Sequence, residues 1–312
     1  MPHIVIPDDA PPVMSASKAY RTLLDRLPVE YCDTLPSSEE ELIRRIRPAD
    51  IVINIRSSSR FTKSVFEQCG QLRLLSLWGT GTDNVDLPAA AHHGIIVTNT
   101  PGVSALTIGE HCLALLLSVA RRIPMTGAQM RQGEWPKGQG TQMHGKTLGI
   151  VGLGAIGRRF AQLGAAIGMR VITWTMHPKP ELGFESVPLE TLLRESDVVS
   201  LHLRLSNETR GMIGERQFAM MKPSAILINT ARGPIVNEGA LIDALETGRI
   251  AGAGLDVFDI EPLPAEHPLR RLPNAVLTAH SAGVTPDALE AGLQMAVDNV
   301  FQFLDGNPAH VV

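Results

Sequence analysis

"KTLGIVGLGAIGRRF" occupies residues 146–160. The apolar run 147–151 has the length of a buried strand, and Gly152, Gly154 and Gly157 follow it in the spacing GxGxxG. Residues 155–167 suit a helix. Strand, glycine turn and helix in that order make a receptor for a dinucleotide pyrophosphate. Gly152 forms the turn, Gly154 lets the backbone approach the phosphates, and Gly157 lets helix and strand pack closely. Ala155 and Ile156 open the helix, whose first N–H groups face the anion. Glycines also serve ordinary tight turns, so the flanking elements carry this reading.

The motif stands near the middle of a chain of 312 residues, long enough for about two domains. Apolar runs at 3–7, 50–55, 72–78 and 94–98 precede it, and others at 170–175, 197–203, 225–230, 253–257 and 275–278 follow. Helix-compatible segments separate them. Continuous Val/Ile/Leu runs predict parallel strands covered on both faces, and the alternation predicts an α/β fold. The expectation is two doubly wound parallel-sheet domains, Rossmann-like and flavodoxin-like, with a cleft between them. Thr285 can cap a helix that has Pro286 at its first position and runs to Gly306. Such a helix spans roughly 30 Å, enough to return to the first half. The predicted division is therefore a substrate-binding domain of residues 1–99 plus 284–312 and a dinucleotide domain of residues 100–283. Within the latter, Asn237 can cap a helix that Gly248 ends. The segment 104–122 is apolar around most of its circumference, which predicts burial from both sides, between domains or in a subunit interface.

Composition excludes several classes. The formal net charge is -4, and no Lys/Arg cluster is interleaved with aromatics, so nucleic acid is not an expected partner. Cys32, Cys69 and Cys112 are scattered; they form no disulfide framework or zinc pattern and fit a reducing compartment. No metal is expected. The start MPHIVIPDDAPP has no basic n-region, and the most apolar stretch, 112–120, is too short to span a bilayer. The expectation is no membrane partner and a cytoplasmic location.

The second strand of a dinucleotide domain ordinarily ends in an acid that binds the adenosine ribose. Here "RVITWTMHPKP" places Thr175 there, followed by Met176 and His177. An acid would repel a 2′-phosphate. Its absence leans toward NADP, with Thr175 and His177 as donors and Lys179 adding charge. No Arg supplies a phosphate clamp, and Thr175 also suits NAD through its hydroxyl.

In open α/β sheets ligands bind beyond the carboxyl ends of the strands. There stand Arg232 in "NTARGPIV", Asp256 and Glu261 in "GLDVFDIEPLP", and His280 in "TAHSAG". Taken singly, an Arg at a strand end is usually a surface residue, a His is usually structural, and an Asp often caps a turn. Grouped around a dinucleotide motif, they suit hydride transfer to a 2-oxo acid. Arg232 can hold a carboxylate in bidentate fashion. His280 can donate the proton that the carbonyl oxygen needs. A carboxylate beside it, a role open to Glu261, would favour the imidazolium and orient the ring. His92 and His93 are expected in solvent and His111 packed on its apolar helix. His202 can line the cofactor pocket or be structural.

Further stretches extend the picture. "GTGTDNVDLPAA" (79–90), "NTPGVSALTIGEH" (99–111), "GKTLGIVGLGAIG", "MKPSAILINTARGPIVNEGALIDAL", "AGAGLDVFDIEP" and "LTAHSAGVT" together resemble, in order, the motifs of the D-isomer-specific 2-hydroxyacid dehydrogenases. The resemblance covers nearly the whole chain. It implies Arg232, Glu261 and His280 as the catalytic trio, with His280 as acid/base paired to Glu261. It implies Asp256 at the nicotinamide carboxamide, Thr107 near the nicotinamide, and Thr230 and Ala231 beside the cofactor. Backbone N–H groups at Thr80 and Gly81 would receive the substrate carboxylate, which Arg232 also holds, while His280 contacts the substrate oxygen and the cofactor. A homodimer through the nucleotide domains is the family expectation. "NIRSSSRFT" resembles the substrate loop of 3-phosphoglycerate dehydrogenases, which makes Arg56 a candidate for the substrate's distal end. The missing acid at Thr175 resembles the glyoxylate/hydroxypyruvate reductase branch, which favours that substrate type. The alternatives are a 3-phosphoglycerate dehydrogenase-like enzyme, or a dinucleotide-sensing binding protein similar to the related corepressors.

Overall fold

The computed structural model describes residues 1–176 and 183–312 and divides the chain into two compact units, Met1–Ser104 with Val284–Val312, and Ala105–Gly283. In the first unit β1 (Ile4–Ile6), α1 (Lys18–Leu24), β2 (Val29–Tyr31), α2 (Glu39–Ile46), β3 (Ile51–Asn54), α3 (Lys63–Gln68), β4 (Leu74–Leu77), α4 (Leu87–His92) and β5 (Ile96–Thr98) alternate. The strands form a parallel sheet in the order β2-β1-β3-β4-β5, the flavodoxin-like arrangement.

Side chains along these strands point alternately to opposite faces, and both faces are apolar. Val5, Val52 and Leu75 pack with Leu42, Ile43 and Phe66 on one side. Ile4, Ile6, Ile51, Ile53 and Leu74 pack with Leu23, Leu293, Val297 and Val300 on the other. This double burial is why the strands read as unbroken apolar runs. β2 and, in the second unit, β8 (Glu185–Ser186) lie outside that expectation. β2 is a partly exposed edge strand of sequence VEY, and β8 is two exposed residues, so neither carries the signal of a buried strand.

The second unit runs α5 (Ala105–Ala120), α6 (Ile123–Arg131), β6 (Thr147–Val151), α7 (Ala155–Ala166), β7 (Arg170–Trp174), β8 (Glu185–Ser186), α8 (Leu189–Glu195), β9 (Val198–Leu201), α9 (Glu215–Met220), β10 (Ile226–Asn229), α10 (Glu238–Glu246), β11 (Gly252–Leu255) and β12 (Ala275–Leu277). Its parallel sheet has the order β12-β11-β10-β9-β6-β7-β8. The strand order reverses between β6 and β9, so the Rossmann switch point lies where the glycine turn leaves β6. α5 packs against α7, β10 and β11. It buries Cys112, Leu115 and Leu116 there, while Leu106 on the same helix is exposed. Asn237 caps α10 by accepting from the N–H of Ala240, and Gly248 follows the helix at φ +68°.

α11 (Pro286–Leu304) belongs to the first unit, where it packs on α1, β3 and β4. Thr285 caps it by accepting from the N–H of Ala288. Among the described residues no helix is long and apolar enough to cross a membrane.

The glycine turn shows why those positions exclude side chains. Gly152 has φ +99°, and a Cβ there would stand 2.6 Å from the His202 carbonyl oxygen. A Cβ on Gly157 would stand 2.1 Å from the Gly152 carbonyl oxygen, which locks α7 against the turn. Gly152→Ala combines a left-handed backbone with a backbone clash. It should cost roughly 1–3 kcal/mol of stability and weaken dinucleotide binding, as read by thermal unfolding and by fluorescence titration with NADPH. Unchanged values in both would mean that the turn tolerates a side chain.

Candidate active site

The edge where the sheet of the second unit ends is built to receive a dinucleotide. A Cβ on Gly154 would meet nothing within 4 Å, in contrast to its neighbours in the motif. Gly154 is the N-cap residue of α7, and no side-chain hydrogen bond caps that N-terminus. Open space beside Gly154, at a helix end whose N–H groups lack a side-chain cap, suits a pyrophosphate. Ala155 and Ile156 form the first turn of α7. Thr175 is half-buried just beyond β7, and Met176 beside it is exposed. His177 and Lys179 lie outside the described residues. Thr107 is half-buried in the first turn of α5. Thr230 is buried, its hydroxyl 3.2 Å from Cys112 Sγ.

Three loops beyond β10, β11 and β12 carry the candidate chemistry. After β10 the buried Asn229 folds the first of them. Its Oδ1 accepts from the N–H of Ala231 at 3.0 Å, and its Nδ2 donates to the Arg232 carbonyl at 3.0 Å. Arg232 follows in extended conformation, and one guanidinium nitrogen donates to the Ala231 carbonyl at 2.7 Å. Gly233 comes next. A Cβ there would lie 2.0 Å from the Phe258 carbonyl carbon, so this loop and the one after β11 touch backbone to backbone. The close approach brings Arg232 into the electrostatic reach of Glu261.

Glu261 accepts from the N–H of Phe258 at 3.0 Å through Oε1 and pairs with His280 Nδ1 at 2.6 Å through Oε2. Burial would raise its pKa. The hydrogen bonds from His280 and Phe258, with the charges of His280 and Arg232, outweigh burial and hold the carboxyl below its ordinary value. Glu261 is therefore an ionised acceptor that fixes the imidazole through Nδ1, leaving Nε2 turned away from it.

His280 has φ +49°, a left-handed backbone rare for a residue with a side chain. Such a conformation costs on the order of 1–3 kcal/mol and persists only where its surroundings over-determine it. Here the determinant is Asp256, which is 1% exposed. Its carbonyl accepts from the N–H of His280 at 2.8 Å. Its Oδ1 accepts from Ser281 N at 2.9 Å and from the Thr278 hydroxyl at 2.5 Å, and its Oδ2 accepts from Ala282 N at 2.9 Å. Both carboxylate oxygens are thus engaged in shaping the turn that presents His280.

Two other histidines have defined partners in the second unit. His111 is not simply packed on its helix; its Nε2 lies 3.0 Å from Thr278 Oγ1. His202, just beyond β9, pairs with Ser200 Oγ at 2.9 Å and meets the Phe160 ring edge-on. Thr278 and Asn229 shape the site, and no motif reading singles them out, because each acts through the loop it folds. Among the described residues no group of three or more His, Cys, Asp or Glu could hold a metal ion.

In the first unit, Thr80 is exposed beyond β4. Its loop is held by Gly79 N donating to Thr100 Oγ1 at 2.8 Å and by Asn99 Nδ2 donating to the Thr80 carbonyl at 2.8 Å. Gly81 is half-buried in the same loop. Arg56, beyond β3, donates to the Pro11 carbonyl and lies 3.7 Å from the fully buried carboxylate of Asp9. Beside it Asp8 accepts from Asn54 and from the N–H of Ile55. Burial pushes Asp8 above the usual carboxylate range despite those bonds.

Residues 113–282 match the family model described as the NAD-binding domain of D-isomer specific 2-hydroxyacid dehydrogenases. The chain belongs to this family. Glyoxylate reductase of Korarchaeum cryptofilum is 40% identical over 284 residues, which cover 88% of this chain and 85% of the relative. D-3-phosphoglycerate dehydrogenase of Methanocaldococcus jannaschii is 36% identical over 88% of this chain, which spans only 53% of that relative. An acyclic imino acid reductase solved with NADPH and D-Arg superposes with a TM-score of 0.93 at 30% identity, covering 99% of each chain. The protein is accordingly an oxidoreductase that exchanges a hydride between a nicotinamide dinucleotide and a 2-oxo or 2-hydroxy acid.

Burial lowers the pKa of His202 from 6.5 to about 3. Between those values the unfolded chain binds a proton that the folded enzyme does not, so stability falls as pH drops below 6.5. His202→Gln removes that contribution. Thermal unfolding followed from about pH 7.5 to 5 should show the wild type losing Tm faster than the variant. Parallel curves would mean that His202 titrates in the folded enzyme as it does in the unfolded chain.

Proposed function

We propose that this enzyme is a cytoplasmic, homodimeric reductase of glyoxylate or hydroxypyruvate that prefers NADPH. The observation that carries the catalytic part is the 2.6 Å pair between His280 Nδ1 and Glu261, formed beside Arg232 at the carboxyl edge of a sheet whose switch point bears the glycine turn. Nicotinamide, when bound, supplies or accepts the hydride at its C4 position. Arg232 holds the substrate carboxylate with two parallel hydrogen bonds. His280, oriented by Glu261, donates its Nε2 proton to the substrate oxygen during reduction and takes it back during oxidation. Thr80 and Gly81, in the first unit, are further candidates for binding a carboxylate through their backbone N–H groups, and Asp256, Thr107, Thr230 and Ala231 border the nicotinamide side.

The substrate preference rests on the glyoxylate reductase relatives, which match this chain over most of their own length. Arg56 remains the candidate for the substrate's distal end. Its guanidinium is already engaged by the Pro11 carbonyl and lies near Asp9, which favours a small substrate over a phosphorylated one. The lean to NADPH rests on Thr175, which leaves no carboxylate at the ribose position to repel a 2′-phosphate. Dimerisation is supported by α6, which buries none of its residues, and by exposed Ile123, Met130 and Trp135 on and after it. The cytoplasmic assignment rests on three free cysteines, two of them buried.

An absorbance assay at 340 nm with glyoxylate, hydroxypyruvate, pyruvate and 3-phosphoglycerate, each with both cofactors, tests the reading directly. His280→Ala should lower kcat by roughly 10² or more, the scale of losing an acid–base group. Near-wild-type turnover would remove His280 from the mechanism. Thr175→Asp should raise KM for NADPH by about tenfold or more while changing that for NADH far less, because a carboxylate disfavours the 2′-phosphate. Equal effects on both cofactors would show that position 175 does not read the ribose.

A further inference from the structure

α5 is an apolar helix, and burying a polar ring on such a helix costs free energy unless the ring finds a partner. His111 has one. Its Nε2 lies 3.0 Å from Thr278 Oγ1 and 3.7 Å from Asp256 Oδ1, and its side chain is 23% exposed. The directions of these bonds follow from donor and acceptor counts. Asp256 takes two backbone N–H groups through its carboxylate, so it acts here as an acceptor. The single hydroxyl hydrogen of Thr278 therefore goes to Asp256 Oδ1 at 2.5 Å. Thr278 Oγ1 can then only accept from the ring, which places a hydrogen on His111 Nε2. The result is a one-way chain from His111 Nε2–H to Thr278 O–H to Asp256 Oδ1.

At its far end the same carboxylate holds the N–H groups of Ser281 and Ala282, and the Asp256 carbonyl holds that of His280. The turn bearing His280 at φ +49° thus hangs from one residue, two of its three N–H groups from the side chain. With no donor from His111, the Thr278 hydroxyl can rotate, and Asp256 is freer to turn away from the two amides.

We propose that His111 is a positioning residue for the acid–base histidine, acting through Thr278 and Asp256; the proposal deepens the reductase reading above and rests on it. His111 is bonded to Thr278, not to His280 or Glu261. It fixes the orientation of Asp256, and Asp256 fixes the turn.

Full-length His111→Leu, His111→Gln and Thr278→Val, and the Leu/Val double variant, test it. Two readouts are needed: steady-state kinetics, and hydrogen exchange at the amides of Ser281 and Ala282. In His111→Leu, exchange at both amides should accelerate and kcat should fall by about tenfold, the effect of losing one hydrogen bond of ordinary strength. The loss should fall more on kcat than on KM for NADPH, because the glycine turn that receives the pyrophosphate is untouched even though Asp256 borders the nicotinamide side. Gln carries an N–H donor to a similar reach, so His111→Gln should recover slow exchange and most of kcat. The double variant should be no worse than Thr278→Val alone, since both act through one chain. Unchanged exchange with wild-type kcat in His111→Leu overturns the proposal, as do losses that multiply in the double variant. A wild-type protein that oxidises neither cofactor with any 2-oxo acid defeats the reductase reading instead. In that case exchange at Ser281 and Ala282 still decides whether His111 holds the turn.

Discussion

A buried carboxylate organises the turn that carries His280. Asp256 spends both oxygens on its own chain, on two backbone N–H groups and one hydroxyl, while its carbonyl takes a third N–H. A charge taken out of water must be met by donors, and here the donors belong to the turn after β12. The turn is thereby held in a backbone conformation that His280 would not adopt unaided. Orientation of the imidazole is then completed from the other side by Glu261, which is itself held by the amide of Phe258. Two carboxylates serve one histidine, one through its backbone and one through its ring.

The parallel sheet explains why these groups meet. All strands of the second unit run the same way, so their carboxyl ends share one edge. Arg232, Asp256, Glu261 and His280 come from three successive loops at that edge, although up to 48 positions separate them along the chain, from 232 to 280. Gly233 against Phe258 is the contact that closes the distance between two of the loops. The glycine turn leaves β6 at the switch point on the same edge, where the crossovers on either side diverge and leave room for a ligand. The glycine turn and the His280–Glu261 pair share one edge because of strand polarity.

Much of this could be read from residue order alone. Ten apolar runs marked ten of the strands, since burial on both faces leaves an unbroken apolar signature. Gly152, Gly154 and Gly157 marked the turn, and Asn237 and Thr285 marked helix starts, because capping and positive φ are local demands met by particular residue types. The partly exposed edge strand β2 and the two-residue β8 left no such trace. Arg232, Glu261 and His280 stood out because guanidinium, carboxylate and imidazole at strand ends suit one reaction.

Tertiary structure decided what those side chains face. Arg56 and Asp9 are 47 positions apart, and only the packing of β1 beside β3 brings the guanidinium toward that carboxylate and the Pro11 carbonyl. His111 reads as an ordinary residue of an apolar helix until α5 lies across β11 and puts its Nε2 within reach of Thr278, 167 positions away. Residue type and spacing determine local conformation, which depends on near neighbours in the chain. Partnership among distant polar groups depends on which elements pack together, and that is settled only when the two sheets and their helices have closed around their cores.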